Sequence, residues 1–220
     1  MHIQIYLGAA PLGAALWVPK APDLSLAVDG GMHLCQRQYS DWADRIATLI
    51  GDLDSISDEA RRAAEAAGIE ISELPREKDE TDFEAAIQLA IERGATSVHV
   101  TNGMGDRLDH LIMVQRGLES IPAAISVTAQ IGSAACWRVT PNTPIELEVS
   151  VGSIFSLIPG CSGVGGVSTR GLRWILENAT LAATSARSIS NLVTEPIVRV
   201  AVSTGSLCAI SPNEFERTIS

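Results

Sequence analysis

The chain has 220 residues, enough for one large domain or two small ones and for a substantial core. Hydrophobic residues make up 46% and charged residues 19%, an ordinary globular balance whose apolar runs are too short for a bilayer-spanning helix. Sixteen basic against 26 acidic residues give a formal net charge of −10, which argues against nucleic acid or a membrane as partner.

In chain order, Ile3–Leu7 is a first short apolar run, without the cationic segment and long apolar stretch of a secretory signal, so a cytoplasmic protein is expected. Leu24–Val28 is a second run and ends in Asp29-Gly30-Gly31. Ile46–Ile50 leads into Gly51-Asp52-Leu53-Asp54-Ser55. Ser57 is placed to cap an Ala-rich helix over 58–67, which Gly68 stops. Ile69–Leu74 is the next strand, followed by the charged loop Pro75–Glu80. Thr81-Asp82-Phe83-Glu84 has the capping-box pattern, and Phe83, Ala86, Ile87, Ala90 and Ile91 then recur at helical spacing up to Gly94. Ser97–Thr101 is a strand that enters the Gly-rich loop Asn102–Arg107; a helix to about Gly117 and a strand over Ala124–Ala129 follow.

This alternation predicts an α/β domain with a parallel sheet covered on both faces, over residues 1–135. From about Gly132 the helical pattern stops. Short alternating runs at 145–149, 153–158, 179–182, 198–202 and 206–210 predict a smaller all-β sandwich over 136–220. The Gly-rich stretch 160–166 reads as a turn. Cys35, Cys136, Cys161 and Cys208 form no C-x-x-C pair, which argues against a zinc site or a disulfide framework.

The acidic residues that carry chemistry fall just beyond strand ends: Asp29, then Asp52 and Asp54, then Asp79 and Asp82, then Asp106 and Asp109. A parallel sheet places such loops on one rim, where ligands bind. In an extended segment Asp52 and Asp54 point the same way, and two carboxylates about 4 Å apart repel by roughly 4 kcal/mol at an effective dielectric near 20. A cation between them relieves this, and oxygen ligands favour Mg²⁺ beside substrate phosphates. The competing reading is a solvated acidic turn. Gly103, Gly105 and Arg107 are placed to hold an anion by backbone N–H groups and a guanidinium, although Gly-rich loops are common; Lys78 on its own reads as a surface lysine, with a second phosphate contact as the alternative. No P-loop, HExxH or nucleophile-elbow pattern is present.

Together, Asp29-Gly30-Gly31, Gly51 to Ser55, Lys78 to Glu84, Gly103 to His110, Gly171 to Leu176 and Ser190-Asn191 resemble, in order, the motifs of bacterial thiamine pyrophosphokinases. The resemblance spans nearly the whole chain; Asp106, Val114 and Ile175 stand where that family usually has Gly, Asn and Pro. It implies transfer of the pyrophosphoryl group of ATP to the hydroxyl of thiamine, and a homodimer with active sites at the subunit interface. It implies Asp52, Asp54 and Asp82 as ligands of Mg²⁺ (or Mn²⁺). Asp29, Asp54, Lys78, Asp79 and Asp109 would belong to the reacting centre, and Gly103, Gly105 and Arg107 would bind the nucleotide. Trp174, Ser190 and Asn191 would bind thiamine, with the indole stacked on the cationic ring. The alternatives are a pyrophosphokinase for another hydroxymethyl heterocycle such as a pterin, a metal-dependent nucleotide phosphohydrolase, and a non-catalytic binder.

Overall fold

The computed structural model describes residues 1–8, 17, 20–102 and 107–212. Its chain divides into two units, one of residues 1–117 and 130–132, the other of residues 118–129 and those from 133 onward. The expected boundary between residues 135 and 136 falls inside a strand, Ala134–Val139, so the division is earlier and less simple than the composition shift suggests.

The first unit is built on β1 (His2–Leu7), β2 (Leu24–Val28), β3 (Thr48–Gly51), β4 (Glu70–Glu73) and β5 (Ser97–Asn102). They lie in the order β4-β3-β2-β1-β5, and every pairing among them is parallel. The helices are α1 (Gly31–Gln38), α2 (Trp42–Arg45), α3 (Asp58–Ala66), α4 (Asp82–Glu92) and α5 (Leu108–Ser120), the last crossing into the second unit. α1, eight residues directly behind Asp29-Gly30, is not among the elements the sequence predicts.

The strand registers align Tyr6, Ala27, Leu49 and Ile71 in one cross-strand row. That row packs with Met32, Leu34 and Cys35 of α1 and with Ala60 and Ala64 of α3. Fully burying a large aliphatic or aromatic side chain contributes about 1.5–3 kcal/mol, which applies here to Tyr6, Leu49, Met32 and Leu34, each at most 1% exposed. α1 starts close against β1, because a Cβ on Gly31 would lie 2.0 Å from the Tyr6 carbonyl oxygen. The helix ends obey local rules. Ser57 Oγ accepts from the Ala60 N–H at 3.2 Å, and the Thr81–Glu84 capping box is complete in both directions. Gly94 takes φ +81 just past α4.

The second unit is antiparallel: β6 (Ser126–Ile131, its last residues counted with the first unit), β7 (Ala134–Val139), β8 (Ile145–Glu148), β9 (Ile154–Arg170), β10 (Ala179–Leu181), β11 (Asn191–Leu192), β12 (Ile197–Ala201) and β13 (Thr204–Ser211). The order is β6-β7-β13-β9-β12-β8, with β10 and β11 also pairing β9. β9 corrects the sequence reading. The stretch 160–166 is not a turn but the middle of a 17-residue strand. Gly163 and Gly166, at φ +76 and +68, bend it; a Cβ on Gly166 would lie 2.2 Å from Ser203 Oγ, and one on Gly163 would sit 3.0 Å from the Leu181 carbonyl oxygen.

Arg138 on β7 is buried, and its guanidinium donates to the carbonyls of Leu118, Ile121, Pro122 and Ile125. It thereby satisfies acceptors at and beyond the C-terminal end of α5. Burial lowers its pKa to about 10, still far above neutrality, so it stays charged. Among the described residues, no helix is long and apolar enough to cross a membrane.

Candidate active site

Three loops at the carboxyl edge of the parallel sheet converge. Asp29 follows β2 with φ +43, a left-handed conformation that Asp tolerates better than most residues. Its backbone N–H donates to the Ile50 carbonyl at 3.1 Å and its carbonyl accepts from Met32 N–H, so the residue joins β2 to α1. Its carboxylate accepts from the Leu53 N–H at 3.1 Å. Gly51, at φ +146, is what admits that carboxylate: a Cβ there would lie 2.0 Å from Asp29 Oδ1. The two motifs, Asp-Gly-Gly at 29–31 and Gly-Asp at 51–52, are thus one structural unit.

Asp52 follows β3, and Asp82 opens α4, where the helix N-terminus favours a carboxylate. One ligand oxygen from each of Asp29, Asp52 and Asp82 lies within 4.8 Å of the others, and all three residues are half-buried. Lys78 Nζ is 2.8 Å from Asp82 Oδ1 and donates to the Pro75 carbonyl at 2.9 Å. The hydrogen bond to Asp82 raises the Lys78 pKa, with further support from Asp52 and Asp29, so the ammonium is retained. Three carboxylates against one ammonium leave uncompensated negative charge. It is felt at Asp29, whose pKa is pushed up to about 7 by burial first and then by Asp82, with the Leu53 N–H opposing and Asp52 adding. A divalent cation bound by oxygen ligands fits this arrangement of charge and donor atoms.

Asp54 is not in this trio. The premise that 52–54 is extended fails, because Leu53 takes φ +58 and reverses the chain. The Asp54 N–H donates to Asp52 Oδ1 at 3.1 Å, while its carboxylate is exposed and 3.9 Å from an Arg76 nitrogen. Asp29 occupies the third position instead. Nothing in the local sequence signals that exchange, since it depends on a positive φ at a leucine. Asp79 is exposed beside Lys78. Arg107 and Asp109 are exposed and pair with each other in a two-pronged contact, Nε to Oδ1 at 2.9 Å and Nη2 to Oδ2 at 2.5 Å. That contact holds the Asp109 carboxyl well below the usual carboxylate range. Gly103 and Gly105 lie outside the described residues.

In the second unit the three expected thiamine residues form a group of their own. Trp174 is 57% exposed, and Arg173 places its guanidinium carbon 5.3 Å from the indole centroid. Asn191 is 5% exposed. Its Oδ1 accepts from the Trp174 N–H at 3.1 Å and its Nδ2 donates to the Trp174 carbonyl at 2.8 Å. Ser190 takes φ +57 and donates its N–H to Ser156 Oγ at 3.0 Å. The contribution of Ser156 has no local sequence signal, because it arises on a different strand.

Residues 17–121 match the family model described as thiamin pyrophosphokinase, catalytic domain, and residues 142–207 match that of the thiamin pyrophosphokinase vitamin B1 binding domain. Thiamine pyrophosphokinase 1 of Oryza sativa subsp. japonica is 28% identical over 173 residues, covering 74% of this chain and 65% of the rice protein. Thiamine pyrophosphokinase of Bacillus subtilis (strain 168) is 25% identical over 144 residues, covering 64% of this chain and 67% of that one. The chain thus aligns with just under two-thirds of the rice protein's length. The fold is shared with the crystal structure of a thiamine pyrophosphokinase from Bacillus subtilis (TM-score 0.80, 20% identity, 97% of this chain and 100% of that chain). It is shared also with the thiamin pyrophosphokinase from Candida albicans (TM-score 0.75, 14% identity, 96% and 89%). The catalytic-domain model spans the aspartate loops and the vitamin-binding model spans Trp174, Ser190 and Asn191: the chain belongs to the thiamine pyrophosphokinase family.

Proposed function

We propose that the chain transfers the pyrophosphoryl group of ATP, the general reaction of its family, to the hydroxyl of thiamine, giving thiamine diphosphate and AMP. The observation that carries this reading is the half-buried trio of Asp29, Asp52 and Asp82 with Lys78 against it. The trio would hold Mg²⁺, or Mn²⁺, which when bound neutralises polyphosphate charge. Asp54 and Asp79, exposed at the same loops, would act once substrate and metal are in place. Lys78 keeps a fixed positive charge at the site, where it offsets charge on the transferring phosphates. In the reaction the hydroxyl oxygen of thiamine gives up its proton to solvent and bonds to the β-phosphorus, the bond from that phosphorus to the α–β bridging oxygen breaks, and AMP leaves with that oxygen. Transfers of this kind depend chiefly on positioning and charge neutralisation.

Arg107, with Gly103 and Gly105, is assigned to the nucleotide. Its pairing with Asp109 would be exchanged for phosphate, a guanidinium's other common two-pronged partner. Trp174 is assigned to the thiamine ring, whose positive charge suits both an indole face and an acidic protein. We also assign the chain to a cytoplasmic homodimer. The deciding experiment incubates the purified chain with ATP, Mg²⁺ and thiamine and identifies the products. AMP and thiamine diphosphate should form in equal amounts, and neither should form without thiamine or metal. ADP as the product, or AMP with free pyrophosphate in the absence of thiamine, would sink the assignment.

A further inference from the structure

The segment that carries Trp174 is held by a short antiparallel ladder. The Gly171 carbonyl accepts from Thr194 N–H at 2.8 Å, Leu172 faces Val193, and Arg173 N–H donates to the Leu192 carbonyl at 2.9 Å. At the next residue the ladder gives way to a side chain. Ser190, at φ +57, turns its strand aside and commits its N–H to Ser156 Oγ. Both backbone polar groups of Trp174 are bonded by the amide of Asn191. That amide is nearly saturated. Its Oδ1 also accepts from the Leu192 N–H at 2.8 Å, so both lone pairs and one of its two N–H donors are engaged within the chain. With the residue 5% exposed, little of Asn191 is open to a ligand. The indole is the opposite case: it is 57% exposed, its point of attachment is set by the bonded Trp174 peptide groups, and the Arg173 guanidinium carbon lies 5.3 Å from its centroid.

We propose that Asn191 is a positioning residue that acts on thiamine through Trp174, by fixing the Trp174 peptide groups so that the indole waits in its stacking orientation. An aromatic platform held before the ligand arrives does not have to be ordered on binding, and that difference enters the affinity for the stacked ring. This inference rests on the reading that Trp174 stacks on thiamine. It assigns Asn191 no contact with the vitamin, and it leaves the nucleotide and the transfer step untouched.

The test is a double-mutant cycle read in thiamine KM, ATP KM and kcat. Trp174→Ala should raise thiamine KM and leave ATP KM alone. Asn191→Ala in the otherwise intact chain should raise thiamine KM about tenfold, the scale of losing one or two hydrogen bonds, with kcat and ATP KM little changed. In the Trp174→Ala background the same Asn191→Ala change should have almost no further effect, since its target is gone. As an independent readout, the four tryptophans labelled with 5-fluorotryptophan should give four fluorine resonances, and Asn191→Ala should shift or broaden the one that Trp174→Phe removes. If Asn191→Ala does not fold, Asn191→Ser, which keeps a polar group in the buried position, enters the same cycle with a smaller expected rise. An equal rise in thiamine KM in both backgrounds overturns the inference and makes Asn191 a direct contact. So does an unchanged KM in Asn191→Ala when Trp174→Ala has raised it. If Trp174→Ala itself leaves thiamine KM unchanged while the chain makes thiamine diphosphate, the stacking assignment falls and this inference falls with it.

Discussion

The acidic trio has one charge problem and two ways to relieve it. Removing a carboxylate relieves repulsion but removes a ligand. Asp52→Asn keeps the oxygen that accepts the Asp54 N–H and removes one negative charge from the trio. It should therefore raise the Tm measured in chelator while lowering Mg²⁺-dependent turnover about a hundredfold or more, the scale of losing several kcal/mol of charge stabilisation. Asp54→Asn should leave the chelator Tm unchanged, because its carboxylate stands outside the trio, and should raise the Mg²⁺ concentration needed for half activity. Melting curves and Mg²⁺ titrations on the two variants check both statements. A pH dependence follows from Asp29. Its folded-state value of about 7 lies above its ordinary 3.8, so between those values the folded chain binds more protons than the unfolded one. Stability owed to this group is therefore full below the lower value and is lost as pH rises toward the upper one, when no divalent cation is present. The chelator Tm should fall over that window, Asp29→Asn should reduce the fall, and saturating Mg²⁺ should stabilise the chain more at the upper end than at the lower.

At the scale of the element, Arg138 is the residue whose loss should be felt most. It donates to four carbonyls at the end of α5 and in the turn that follows. Arg138→Met preserves an apolar stem of similar reach but leaves those buried acceptors without their donor. A loss of about 2–4 kcal/mol in unfolding free energy is expected, measured by denaturant titration. The trio itself lies in the other unit, so the catalytic constants of the folded variant should change little. The sequence marks Arg138 only as one polar residue among apolar ones in Ala134–Val139, a strand that its pattern does not predict. The strand expected at 153–158 is the first part of β9, and its continuation to Arg170 is hidden for a related reason: glycines that usually punctuate turns here bend a continuous strand around neighbouring chain.

For the whole molecule, the division of the site residues between two units makes subunit complementation the informative measurement. Asp52 and Trp174 belong to different units of the chain. If the chain forms a homodimer that places them in shared sites, Asp52→Asn and Trp174→Ala chains should complement each other. After confirmed subunit exchange, half the dimers are mixed and each has one intact site, so activity at low thiamine should recover to about one-quarter of wild type by random pairing in a two-fold assembly. Activity that stays at the average of the separate variants would place both residues in the same chain's site, or in no common one.

Local rules sufficed for a definite part of this protein. The Ser57 cap, the Thr81–Glu84 box, the Gly94 stop and the alternation of strands with helices depend on residues a few positions apart, and each is present as read. The carboxyl edge of a parallel sheet also told which loops would carry the carboxylates, because strand direction alone settles that. What the sequence by itself did not determine is which of those carboxylates meet. That was decided by Leu53 at φ +58, by Gly51 lying open beneath Asp29, and by Lys78 against Asp82, none of which has a periodic or compositional mark. Asn191 shows the same limit in the other unit. Its place beside Ser190 was legible, but its amide is bonded to Trp174, 17 residues away, and a bond across that separation exists only once β9 and the turns around it have brought the two segments together. Local conformation is set by neighbours in sequence, whereas the grouping of charges and the partners of a buried amide are set by tertiary packing.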